Sequence, residues 1–275
     1  MDLRQISTLI AIADHGSFSA AARALFTVQS RRIQRELDDI AADISALDDV
    51  IAGETRVGVI GTTGRWLMPQ FLDRLHAAHP YVRPIVSEGG TSNLLPRLVS
   101  GQLDAVIVHL PVDDPELQVE PLFAEDLVLI VNSKHPWFAH DSLPMSALGE
   151  HPIILPPRTA VLRRIINRAA EMSGTSLEVQ AEIDGVRLMA SLAFDGFGPA
   201  IVPATAMPRW LTGDFKRITV PELPRRVVGW VQRKRPRPGP PTFAALEITR
   251  ALVAARGARQ PGVHVGPEAF PLKAT

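Results

Sequence analysis

Residues 55–110 read TRVGVIGTTGRWLMPQFLDRLHAAHPYVRPIVSEGGTSNLLPRLVSGQLDAVIVHL, and the change of period along them decides the fold. RVGVIG is a short apolar run suited to a strand, and RWLMPQFLDRLHAAHP after it has helical spacing. VRPIVS, NLLPRLVSGQL and DAVIVHL repeat strand, helix and strand. Such alternation builds parallel α/β units, because a parallel pair needs a crossover that a helix supplies.

Outward from this stretch the pattern repeats. LQVEPL and EDLVLIVN are strands with no helix between them, and a second series follows: HPIIL, AVLRRIINRAAEM, LEVQAEI, GVRLMASLAF and PAIVP behind the turn DGFG. RVVGWVQRK is a late strand, and after RPRPGPP the helix FAALEITRALVAA is expected to pack back on the first lobe. The unit 54–255 is therefore expected to have two α/β lobes: lobe I over 54–131 plus 232–255, lobe II over 132–231. From Arg256 the Gly and Pro content rises and periodicity ends, so 256–275 is expected to be a disordered tail.

Upstream, Leu3, Ile6, Leu9 and Ile10 mark one helix that ends at His15 and Gly16. Ser17 then stands at an N-cap position, and Ala20, Ala21, Ala22 and Leu25 continue a second short helix. Ile33, Leu37, Ile40, Ile44, Leu47 and Ile51 follow at alternating steps of four and three, an a/d seam on one long helix that Gly53 stops. That seam suits pairing with a second helix, and packing on its own domain is the alternative.

Composition narrows the function. The chain has 275 residues, 46% of them hydrophobic, enough for a proper core. Lys plus Arg and Asp plus Glu are both 29, so no overall positive field draws the chain onto nucleic acid or an anionic membrane. There is no cysteine, which excludes disulfides and thiolate metal sites. MDLRQISTLIAIADHG lacks a basic leader and a small-residue cleavage site, and no window reaches the roughly 18 unbroken apolar residues of a membrane helix. A cytoplasmic protein without membrane contact is expected. HExxH, GxSxG, P-loop and GxGxxG motifs are all missing, so neither enzymatic activity nor a cofactor or metal is expected.

The stretch MDLRQISTLIAIADHGSFSAAARALFTVQS resembles the opening of a LysR-type transcriptional regulator, a bacterial family of dimeric DNA-binding proteins. FLDRLHAAHPYVRPIVSEGG, LVSGQLDAVIVHLP, EDLVLIVNSKHP and FDGFGPAIVP resemble the effector-binding domain of that family. The resemblance implies a two-lobed architecture like that of solute-binding proteins, preceded by a helix-turn-helix and a long linker helix, with a small metabolite sensed between the lobes.

One segment departs from the family pattern. Where the body of the recognition helix and a wing should follow LFTVQS, Ser30 runs directly into RRIQRELDDIAADI, which resembles the linker helix. A partial helix-turn-helix over 1–30 and a dimerisation helix over 31–53 are therefore expected. Ser17, Ser19, Thr27, Gln29, Ser30, Arg31 and Arg32 are the candidate DNA contacts. Arg31, Arg32 and Arg35 also read as a solvated helix face beside Glu36, Asp38 and Asp39. A helix-turn-helix reads bases by laying its second helix in the major groove, so the shortening implies impaired specific binding. The dimer seam can serve a homodimer, or pairing with intact relatives that spoils their grip on DNA. An intracellular small-molecule sensor that touches no DNA is the other reading.

Open α/β lobes bind ligands at the carboxyl ends of their strands, where helix N-termini present free N–H groups. Thr62, Thr63 and Gly64 follow the first strand, Ser92 and Asn93 the second, His109 ends the third, and Arg158 and Thr159 precede a second-lobe helix. These are the candidate effector contacts, suited to a small anion. The hydroxyl residues also read as N-caps, His109 as a hydrogen-bonded strand end, Asp184 as a cap for GVRLMA, and Arg158 as a solvated cation.

Overall fold

The computed structural model describes residues 50–266, 269 and 270. The proposed DNA contacts Ser17 to Arg32 and the seam residues Ile33 to Leu47 lie outside the described residues.

In lobe I, β1 (Gly53–Val59) is followed by α1 (Gly61–Ala78), β2 (Val82–Glu88), α2 (Thr91–Val99) and β3 (Ala105–His109). β1 pairs parallel with β2 from Gly53↔Val82 to Val59↔Glu88, and with β3 from Val57↔Ala105 to Val59↔Ile107. Every residue of β3 is buried, as expected for a strand covered on both faces. β4 (Leu117–Glu125), β10 (Arg226–Arg233) and β11 (Val263–His264) complete a six-stranded sheet in the order β11-β4-β10-β3-β1-β2.

Lobe II repeats the motif. β6 (Ile153–Leu155), α3 (Val161–Met172), β7 (Val179–Glu182), α4 (Val186–Phe194) and β8 (Ala200–Pro203) join β5 (Leu127–Asn132) and β9 (Phe215–Thr219) in a sheet ordered β7-β6-β8-β5-β9. Alternation along β5 divides its side chains between two cores. Leu127, Leu129 and Val131 face one, with Trp137, Ile166 and Ile218, while Val128 and Ile130 face the other, with Met189 and Val202. α5 (Pro240–Arg256) lies on lobe I, where Ala245, Leu246, Leu252 and Val253 enter its core and Thr242 Oγ1 meets Thr55 Oγ1 at 3.0 Å.

Four expectations are corrected. The sequence reading places 127–131 in lobe I, but β5 belongs to the lobe II sheet. Only Asp126 separates β4 from β5, and the tightest common hairpin needs two loop residues, so the chain runs on into the second sheet instead of folding back. By the same token 226–231 lie in lobe I, since β10 pairs with β3 and β4. Ile51 is not helical: it stands just before β1 and packs against the lobe I core. The expected tail is structured over 257–266. Gly257–Arg259 form a 3-10 turn, Gly257 and Val263 are buried, and β11 pairs with β4 at Val263↔Glu125 and His264↔Ala124. Its sequence lacks periodicity because a two-residue strand is too short to show any.

Candidate functional site

The carboxyl ends of β1, β2 and β3 in lobe I and of β6 and β7 in lobe II face one cleft of about 390 Å³. Four helices begin at its wall: α1 with Gly61 and Thr62, α2 with Thr91 and Ser92, α3 with Val161 and Leu162, and α4 with Val186 and Arg187. Gly64, Leu94, Arg164 and Met189 make the first bonds back to the cap carbonyls of Ile60, Gly90, Ala160 and Gly185. Asn93 N–H shares the Gly90 carbonyl at 3.0 Å, and the other N–H groups ahead of these first bonds have no partner within their own helix. None of the four helices has an acidic residue in its first turn or a side-chain cap bond. Their positive ends are not neutralised from within.

Arg226 opens β10 at the floor of the cleft and is 5% exposed. Its Nη2 donates to Thr62 Oγ1 at 2.6 Å and to Glu125 Oε2 at 2.7 Å, and Nε donates to the same oxygen at 2.9 Å. Glu125, fully buried, also accepts from Thr205 N–H at 2.8 Å and from the Thr205 hydroxyl. Register explains the meeting, since Arg226 and Glu125 are direct partners between β10 and β4. The carboxylate compensates a guanidinium that would otherwise be costly to bury.

His109 lines the same cleft, 6% exposed, and among the described residues neither ring nitrogen has a partner in hydrogen-bond geometry. Burial, then the positive charges of Arg226 and Arg164, hold its pKa down at about 3, against a weaker opposing contact with the Leu110 backbone that falls short of hydrogen-bond geometry. The ring is neutral at physiological pH and offers one donor and one acceptor. A buried polar group without a partner is uncommon and points to a missing one.

Of the candidate contacts, Thr62, Ser92 and His109 line the cleft. Thr63, Gly64, Asn93, Arg158 and Thr159 do not. α1 begins at Gly61, earlier than the sequence reading has it, so Thr63 and Gly64 turn toward the core. Thr63 is fully buried, and a Cβ on Gly64 would stand 3.2 Å from Val59 Cγ1. Asn93 is exposed with its N–H bonded to Gly90 O. Arg158, its side chain 84% exposed, reaches Glu182 at 3.9 Å outside the cleft, and Thr159 is also exposed. Sequence reasoning missed Arg226, Glu88 and Arg187. The signal for Arg226 was an arginine leading an apolar strand, a position that requires a partner.

The family model of the LysR substrate binding domain matches residues 48–254. The chain belongs to the LysR family of transcriptional regulators. It is 28% identical over 235 residues to the DNA-binding transcriptional dual regulator OxyR of Escherichia coli K12, covering 84% of this chain and 75% of that one. Two solved structures share the fold of this LysR-family chain. The effector binding domain of QuiR in complex with shikimate has a TM-score of 0.68 at 19% identity, covering 74% of this chain and 98% of that one. The reduced OxyR regulatory domain from Pseudomonas aeruginosa has a TM-score of 0.61 at 23% identity, covering 73% and 98%.

Proposed function

We propose that this LysR-family regulator responds to a small anionic metabolite, such as a carboxylate, bound in the cleft between its lobes. The observation that carries the reading is the pair of His109 ring nitrogens without a hydrogen bond among the described residues, set in the same cleft as buried Arg226 and four helix N-termini. N–H groups and guanidinium favour an anion, and the neutral imidazole adds a directional contact to a neighbouring hydroxyl or carboxylate oxygen. Ligand bridging the two sheets would shift lobe closure, and the linker would carry that shift onward.

Several curated relatives are named hydrogen peroxide-inducible genes activators. Peroxide is commonly sensed by oxidising a thiolate, and these 275 residues contain no cysteine. The signal here is therefore occupancy of the cleft rather than thiol oxidation. Specific operator binding is impaired, because the segment between Thr27 and Arg32 is too short for a full recognition helix and wing. The protein acts in the cytoplasm, as a homodimer through Ile33 to Ile51 or as a partner that disarms intact relatives. Among the described residues no helix is long and apolar enough to cross a membrane.

Thermal-shift measurements on the full chain test the cleft. Acetate, glycerate and benzoate are compared with their neutral amides. At least one carboxylate raises Tm, its amide does not, and His109→Phe removes the effect; equal shifts from the amides would refute an anion site. A DNase footprint at nanomolar protein in physiological salt would refute impaired operator binding.

A further inference from the structure

We propose that Glu88 is a resident carboxylate occupying an anion position of the cleft, and that a ligand enters by replacing Glu88 as the partner of Arg187. This inference rests on the anion reading above; it adds the residue that sets anion affinity and the contact between lobes that binding must break.

Glu88 ends β2 in lobe I, and Arg187 lies in the first turn of α4 in lobe II. Both line the cleft, and Arg187 Nη2 donates to Glu88 Oε1 across it. The same carboxylate oxygen rests on the start of α1. A Cβ on Gly61 would stand 2.9 Å from Glu88 Oε1 and 3.5 Å from Arg187 Nε, so the missing side chain lets the ion pair settle against that helix terminus. Glu88 thus holds two partners that an external anion would use, a guanidinium and the positive end of a helix.

The surroundings favour exchange. The side chains of Glu88 and Arg187 are 46% and 49% exposed, so a solute can reach the pair. Arg65 stands close enough to feel both: burial and then the Arg187 charge lower its pKa, while Glu88 raises it. Arg65 Nη1 also donates to Ala206 O of lobe II at 3.0 Å. Removing the Glu88 charge would leave Arg187 at the cleft, with the charge of Arg65 nearby, less compensated, and the affinity of Arg187 for another anion should rise. A tethered carboxylate competes at high effective concentration, so wild-type affinity is held down. Neutral solutes cannot make this exchange.

Isothermal titration of the full chain with sodium acetate and sodium sulfate tests the idea on wild type, Glu88→Gln and Arg187→Gln. Glu88→Gln should tighten binding roughly tenfold, as expected for relief of one like-charge contact at a half-solvated site. Arg187→Gln should weaken binding. Folding should be little affected in either variant, since half-exposed pairs contribute little to stability, and circular dichroism melts will confirm it. If wild type binds and Glu88→Gln binds no tighter, or Arg187→Gln binds as well as wild type, the exchange is overturned while the anion cleft stands. If none of the three proteins binds either probe, both readings fall.

Discussion

Replacing Arg226 by Met should cost about 3 kcal/mol of folding stability, near the low end of the 3–5 kcal/mol typical when one partner of a buried ion pair is removed. The geometry sets the estimate. Arg226 and Glu125 have side chains only 6% and 0% exposed, so water cannot take over from the lost guanidinium. Glu125 Oε2 would lose bonds of 2.9 and 2.7 Å, and Thr62 Oγ1 one of 2.6 Å. The loss is held to the low end because Thr205 still gives Glu125 its N–H at 2.8 Å and its hydroxyl. Equilibrium urea unfolding, followed by far-ultraviolet circular dichroism, measures it; an unchanged m-value supports a comparison of midpoints. Adding Glu125→Gln in the Arg226→Met background should recover about 1–2 kcal/mol, because the stranded charge is replaced by an amide. A loss below about 1 kcal/mol, or no recovery in the double variant, would refute the claim that this pair is mutually dependent.

Two further outcomes follow from the same chemistry. His109 has its folded pKa lowered from 6.5 to about 3, so the unfolded chain takes up the proton first. Stability from this residue is complete above pH 6.5 and falls on acidification toward pH 3, by at most about 1.4 kcal/mol per pH unit. In His109→Phe the loss of stability between pH 6 and 4 should be shallower than in wild type by up to that slope; parallel curves would show that the ring is not buried neutral. Truncation after Arg256 removes β11 and the bond between His264 Nε2 and Asp126 Oδ1 at 2.9 Å. Losing the buried Val263 alone should cost about 1.5–3 kcal/mol, read as a lower Tm; an unchanged Tm would restore the disordered tail.

How much of the site was legible depends on how local each signal is. Thr62, Ser92 and His109 could be named because each sits at a strand end or in the helix turn that follows one, and strand ends show in the change of period. Gly64 and Thr63 were misplaced because helix starts are uncertain by a few residues when no Ser, Thr, Asp or Asn stands at the cap: α1 is capped by Ile60. Arg158 was chosen as the cation nearest a helix start, yet its side chain points to water. Arg226 and Arg187 were missed because their carboxylate partners stand 101 and 99 residues away in sequence. No periodicity links positions so far apart.

By itself the sequence determined two α/β lobes, since hydrophobic period is a property of each short segment and is set by the faces that segment must bury. It also determined that no thiol chemistry is available to these 275 residues. Only the tertiary structure decided where the chain crosses between lobes, because a one-residue link at Asp126 can be judged only once β4 and β5 are placed in different sheets. It alone decided that four helix starts, Arg226, His109 and the Glu88–Arg187 pair share one cleft. Electrostatics acts through space over a few ångströms, and folding, not chain order, brings those groups within that range.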